Sequence, residues 1–191
     1  SKERILFELI KILELKSFLK ISENYHLLEI FKLIFPELIY LERLKRVKEI
    51  NRNLKLNKDI LLSVLLIDEK DNHEYFSHKY NVSNKLKLSL EKLAKNLNLA
   101  QNNKDFFYKD LLKNIYLNGK NHLITLNILN YACNPKIKLQ EFKNILNKIL
   151  NSKIPKLDGR YVLILSLPFK KTDHQLNVEF ETIIVLNKDG K

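Results

Sequence analysis

Over the first 150 residues, apolar side chains recur every three or four positions, the spacing that lays them along one face of a helix. Ser1 can cap a first helix whose face carries Ile5, Leu9, Ile12, Leu13 and Leu19. A second helix is expected from about Tyr25 to Ile34, stopped at Phe35-Pro36 because proline cannot continue it. A third is expected from Pro36-Glu37 through Arg43 and Arg46 to about Ile50. Its proline sits in the tolerated first turn, and its carboxylate suits the helix dipole. Asn57 or Asp59 opens an apolar helix ending near Asp68, and the polar stretch 68–80 reads as a loop or a short helix. Ser83 caps the most regular helix, with Leu86, Leu90, Leu93 and Leu97 on one face and Lys85 and Lys92 on another. A helix over 106–117 ends at Asn118-Gly119, a common stop, and helices over 121–132 and 139–150 complete the array. Short connections predict that successive helices pack against each other.

After Pro155 the texture changes. Tyr161-Val-Leu-Ile-Leu165 and the run from Val178 to Val185 are rich in β-branched and aromatic residues, and the second begins with period-two alternation. The expectation is an all-α body over 1–157, an array of helices joined by short loops. A divergent tail over 158–191 is expected to be irregular or a β-hairpin.

Composition sharpens this picture. With 45% hydrophobic residues the chain can bury a core, and no apolar run reaches the roughly 18 residues that a membrane-spanning helix needs. The N-terminus lacks the basic, apolar and small-residue layout of a signal peptide, so a cytoplasmic protein is expected. The absence of Met suggests a chain processed, trimmed or read from an incomplete frame. The net charge of +12 favours anionic partners, RNA first. AT-rich codons would also enrich Lys, Asn and Ile, which weakens that inference; the Lys and Asn enrichment reads as spread along the chain.

Candidate chemistry is sparse. Three glycines could hardly build a phosphate loop, and there is no Gly-x-Ser-x-Gly elbow or Cys-x-x-Cys pair. The lone Cys133 reads as a buried structural thiol. His73 and His78 lie near Asp68, Glu69, Asp71 and Glu74, but a five-residue spacing does not bring two imidazoles to one helix face. Solvated loop histidines and a solvated acidic turn are the expectation.

Five stretches together resemble one family. Ser1-Lys-Glu3-Arg4-Ile5-Leu-Phe-Glu8-Leu9 is similar to the Ser-x-Glu-Arg-Ile-x-x-Glu-Leu motif of class II tRNA nucleotidyltransferases and bacterial poly(A) polymerases. Phe35-Pro36-Glu37-Leu38, the helix from Asp59 to Leu66, and Tyr80-Asn-Val-Ser83-Asn84 resemble its following elements in order. Pro155-Lys-Leu157-Asp-Gly159-Arg resembles its tail element. The tail then departs, with Tyr161, Ser166 and Phe169-Lys170 in place of the usual Asp, Gly and Pro-Gly.

The resemblance covers the neck end, body and part of the tail. The head motifs, a glycine-rich segment and an Asp-x-Asp pair, and the Glu-Asp-x-x-Arg motif of the neck do not occur in this sequence. It therefore implies a truncated chain, inactive alone, that holds tRNA or another RNA. Mg and ATP or CTP would belong to the missing head, which could be separately encoded. Contacts expected on that basis are Lys85, Lys92, Lys109, Lys113 and Lys120, with Glu3, Arg4 and Glu8 as a structural neck–body motif. No cofactor, catalytic residue or metal ligand is assigned to this chain. The competing expectation is a structural or protein-interaction helical domain whose charge follows codon usage.

Overall fold

The computed structural model describes residues 1–51, 54, 56–68, 70–153, 161–165 and 182–186, the last two segments for their backbone. The chain divides into two units, Ser1–Ser152 and Lys153–Lys191. The first is all-α. Its helices are α1 (Lys2–Glu14), α2 (Tyr25–Ile34), α3 (Arg43–Ile50), α4 (Lys58–Leu66) and α5 (Asn72–Lys79), followed by α6 (Asn84–Asn102), α7 (Leu111–Asn118), α8 (Lys120–Cys133) and α9 (Leu139–Asn151). A 3-10 segment, Phe18–Glu23, joins α1 to α2. In the second unit, β1 (Tyr161–Leu165) and β2 (Thr182–Leu186) pair antiparallel, Tyr161 opposite Leu186 and Leu165 opposite Thr182. The stretch from Pro155 to Arg160, residues 178–181, and Glu69, Ser166, Phe169 and Lys170 lie outside the described residues.

Helix starts follow local chemistry. Oxygens of Ser1, Asn24, Asn57 and Ser83 accept hydrogen bonds from the backbone N–H three residues on, satisfying donors that a helix leaves open. Gly119, at φ 83°, ends α7 and begins α8 without a linker, a conformation that a side chain disfavours.

α8 is the hub. It packs on α3, α4, α6, α7 and α9, and it buries every residue from Leu126 to Ala132. α4 buries all seven residues from Ile60 to Leu66. Helices that are apolar nearly all round belong in the interior, where each fully buried Leu or Ile contributes about 1.5–3 kcal/mol.

Two arginines one turn apart on α3 close the ends of these inner helices. Arg43 Nη1 donates to the Val64 and Ile67 carbonyls at 3.0 and 2.6 Å, in the last turn of α4 and at its cap. Arg46 donates to the Tyr131, Asn134 and Ile137 carbonyls at 2.8, 3.2 and 2.6 Å, where α8 ends. Cations at helix C-termini satisfy orphan carbonyls and match the dipole. The sequence pattern marked both arginines only as helix positions.

Four expectations are corrected. The first helix stops at Glu14, not Leu19: Leu15 turns extended, and the chain re-enters the core as a 3-10 turn that stacks Phe18 on Phe31 at 5.7 Å. The third helix begins at Arg43, not Pro36. Glu37 is buried, accepts from Tyr80 Oη at 3.0 Å and pairs with Lys79, while its carbonyl accepts from Asn72 Nδ2 at 2.9 Å. Those bonds hold 36–42 in successive turns. The stretch 106–110 also forms turns, tied by Asn103 Oδ1 to the Asp105 N–H at 2.9 Å and by Asn114 Nδ2 to the Phe106 carbonyl at 2.9 Å. The helix after it starts at Leu111. Finally, His73 is no solvated loop residue. It is buried on the short helix α5, and its Nδ1 has no hydrogen-bond partner among the described residues, whereas His78 is exposed.

Candidate nucleic-acid interface

The positive charge is unevenly placed along the chain. Residues 1–83 carry 15 Lys and Arg against 13 Asp and Glu. Residues 84–153, which form α6 to α9, carry 13 Lys against 4 acids and hold +9 of the net +12. One codon bias acts on both segments, so it does not account for the scarcity of acids in the second. Residues 111–140 contain no carboxylate at all, and 84–153 contain no Arg. Ten of those 13 lysines are exposed and three half-buried. The asymmetry lies in the acids, not in the basic residues, whose density is similar in both segments.

α6 carries Lys85 and Lys92 on one exposed stripe, two turns apart. One turn further, Asn96 on the same stripe is buried, and its Nδ2 lies 3.2 Å from Asn118 Oδ1 and 2.9 Å from His122 Nε2. An amide nitrogen only donates, so His122 Nε2 accepts and its proton sits on Nδ1. Burial, with the Lys92 charge adding to it, pushes the His122 pKa down to about 4. This imidazole is therefore neutral at pH 7 and adds no charge to the surface.

Lys120, at the start of α8, is half-buried and donates from Nζ to the Leu150 carbonyl at 3.0 Å, near the end of α9. Lys92 and Lys120 thus flank the corner where α7 turns into α8. Lys85 lies two turns away along α6. Lys109, beyond the other end of α7, is exposed and sits 3.5 Å from Asp105. Lys113, on α7, is half-buried and takes part in the protein's own interactions.

The three α1 residues have separate surroundings. Glu3 Oε1 accepts from Asn81 Nδ2 at 3.3 Å, tying α1 to the turn before α6, and that bond holds its carboxyl below the usual range. Arg4 is exposed, and its backbone N–H meets Ser1 Oγ. Glu8 pairs with Lys11 at 3.2 Å.

A groove of about 1090 Å³ opens between the turn at Tyr40, α5 and α6. Its wall mixes Asp68, Asp71, Glu74 and Glu91 with Arg43, Lys70 and Lys95, and it includes one edge of His73. Among the described residues no three His, Cys, Asp or Glu side chains are grouped to hold a metal ion. Cys133, half-buried at the groove, has its thiol pushed up to about 11 by burial, so it stays protonated at neutral pH. No helix among the described residues is long and apolar enough to cross a membrane. Comparisons of the chain with family models, with curated proteins and with solved structures return no match.

Proposed function

We propose that this chain is an RNA-holding helical domain whose contact surface is built by α6 to α9. The observation that carries this reading is the concentration of +9 in residues 84–153 while the preceding 83 residues are near neutral. Exposed lysines without nearby acids attract phosphates and release counterions on binding. Without arginine in that segment, its cations are ammonium point charges rather than planar forks, which favours contact along the phosphate backbone over reading of base edges. The ordered motifs from Ser1-Lys-Glu3-Arg4 to Tyr80-Asn-Val-Ser83 support a tRNA-holding role of the nucleotidyltransferase and poly(A) polymerase type. On that reading the metals and the nucleotide are supplied by a catalytic head on another segment or chain, and the work is cytoplasmic.

A protein-interaction role is the second reading, and α2 favours it. Leu27, Ile30, Leu33 and Ile34 leave an apolar stripe exposed beside the Phe31 anchor, with Leu33 at 84% exposure. Titration of the purified chain with tRNA across salt concentrations separates the two. Binding with a dissociation constant on the order of micromolar that weakens steeply with salt supports the RNA reading. A folded chain that fails to bind at low salt leaves the interaction role.

A further inference from the structure

We propose that the outward stripe of α6 docks on an anionic lipid surface, an activity separate from RNA holding although the two share Lys85 and Lys92. Along α6, Lys85, Leu88, Lys92, Lys95 and Leu99 follow one another at alternating steps of three and four residues. At 3.6 residues per turn they fall within about 80° of each other, on a line about 21 Å long. All five are exposed, Leu88 at 64% and Leu99 at 48%, while Leu90, Leu93 and Leu97 bury the other side of the helix. None of the three lysines has a hydrogen bond or ion pair among the described residues. Glu91, the one carboxylate of α6, lies at the edge of the stripe, 3.8 Å from Lys87.

The interleaving of unpaired cations with exposed leucines selects the partner. An RNA backbone offers phosphates to the lysines and nothing to Leu88 and Leu99, which would stay in water. A partner helix would have to pack three ammonium groups into a seam of five positions, and lysine in such a seam lowers stability. A lipid surface takes both kinds of side chain. The leucines enter the boundary between headgroups and acyl chains, and the lysine stems bend so that their ammonium groups stay among the phosphates. No Pro or Gly lies inside α6 to kink it, so the stripe meets a plane along its whole length. The helix lies on the surface and does not span it, and the attraction scales with the anionic lipid and falls with salt.

The test mixes the full chain with vesicles of phosphatidylcholine alone, or of phosphatidylcholine and phosphatidylglycerol in equal parts, and reads co-sedimentation. Binding to the anionic vesicles only is expected. Leu88→Gln with Leu99→Gln should weaken it roughly tenfold and leave tRNA affinity unchanged. Lys92→Gln with Lys95→Gln should weaken it roughly thirtyfold. The sequence has no tryptophan, so Leu88→Trp sets a single reporter in the stripe, and its emission should shift to the blue on the anionic vesicles. All four positions are exposed, and circular dichroism confirms that each variant is folded. A folded chain that ignores anionic vesicles, an unshifted emission, or vesicle binding indifferent to either pair overturns the proposal and leaves the RNA reading to the tRNA titration. If the leucine pair weakens tRNA binding instead, the face belongs to RNA and the proposal falls. It falls equally if that pair disrupts self-association or a protein complex with vesicle binding intact.

Discussion

Arg46 spreads its guanidinium over the Tyr131 ring, 4.1 Å from the centroid, while its Nε donates to the carbonyl of that same residue at 2.8 Å. On its far side the Tyr131 hydroxyl is anchored to Glu49 Oε2 at 2.6 Å. Burial and that bond push the phenol up to about 12. One α3 side chain thus closes the end of α8 and packs on its largest ring. Arg46→Met should lower the free energy of unfolding by about 2–4 kcal/mol, because it strands three carbonyls and removes a stacked cation. Arg46→Lys should recover only part, since a compact ammonium lacks the planar fork that reaches three carbonyls while stacking on the ring. Urea denaturation of the two variants measures both.

The buried carboxylate at Glu37 gives a double-variant prediction. Lys79→Met leaves that carboxylate without its cation and should cost about 3 kcal/mol, a typical figure for breaking a buried pair. Adding Glu37→Gln removes the uncompensated charge and keeps an acceptor for Tyr80 Oη. The double variant should therefore be more stable than Lys79→Met alone. If the two are equally unstable, the pair carries no coupling.

His122 makes stability depend on pH in a defined direction. Its folded pKa of about 4 lies below the unfolded value near 6.5, so between those values the unfolded chain binds the extra proton. The neutral His122 contribution is complete above pH 6.5 and is lost as pH falls toward 4. In the acid form an N–H would face the Asn96 N–H. His122→Gln should flatten this dependence; urea midpoints at pH 7 and pH 5 for both proteins give the comparison.

Charge location, rather than amount, should govern RNA affinity. Lys85→Gln with Lys92→Gln removes two charges from α6 and should lower the logarithmic salt slope by about 2 for tRNA. Lys16→Gln with Lys20→Gln removes the same charge from the balanced half and should leave the slope nearly unchanged. Equal effects from both pairs would show that net charge alone sets binding.

Much of the helical order was legible because start and stop signals are local. Asn57, Ser83 and the Asn118-Gly119 break act on neighbouring backbone groups; α2, α4, α8 and α9 lie within two residues of their expected bounds, and α6 starts after its expected cap. What escaped depends on partners far along the chain. Glu37 leaves the helical path for Lys79 and Tyr80, and Phe18 for Phe31. The same distinction holds at the candidate interface. The acid-free stretch needs only counting, whereas Lys120 is drawn to α9 by a fold that spacing alone does not reveal.

The hub position of α8 sets a schedule for synthesis. The bond from Arg46 to Tyr131 spans 85 residues, and α4 also waits for α8 as its cover. A nascent chain therefore lacks the α8 cover over the run from Ile60 to Leu66 for the seconds needed to make roughly sixty more residues. During that interval the N-terminal helices form an unfinished apolar surface, and the fold closes late, when its inner helix arrives.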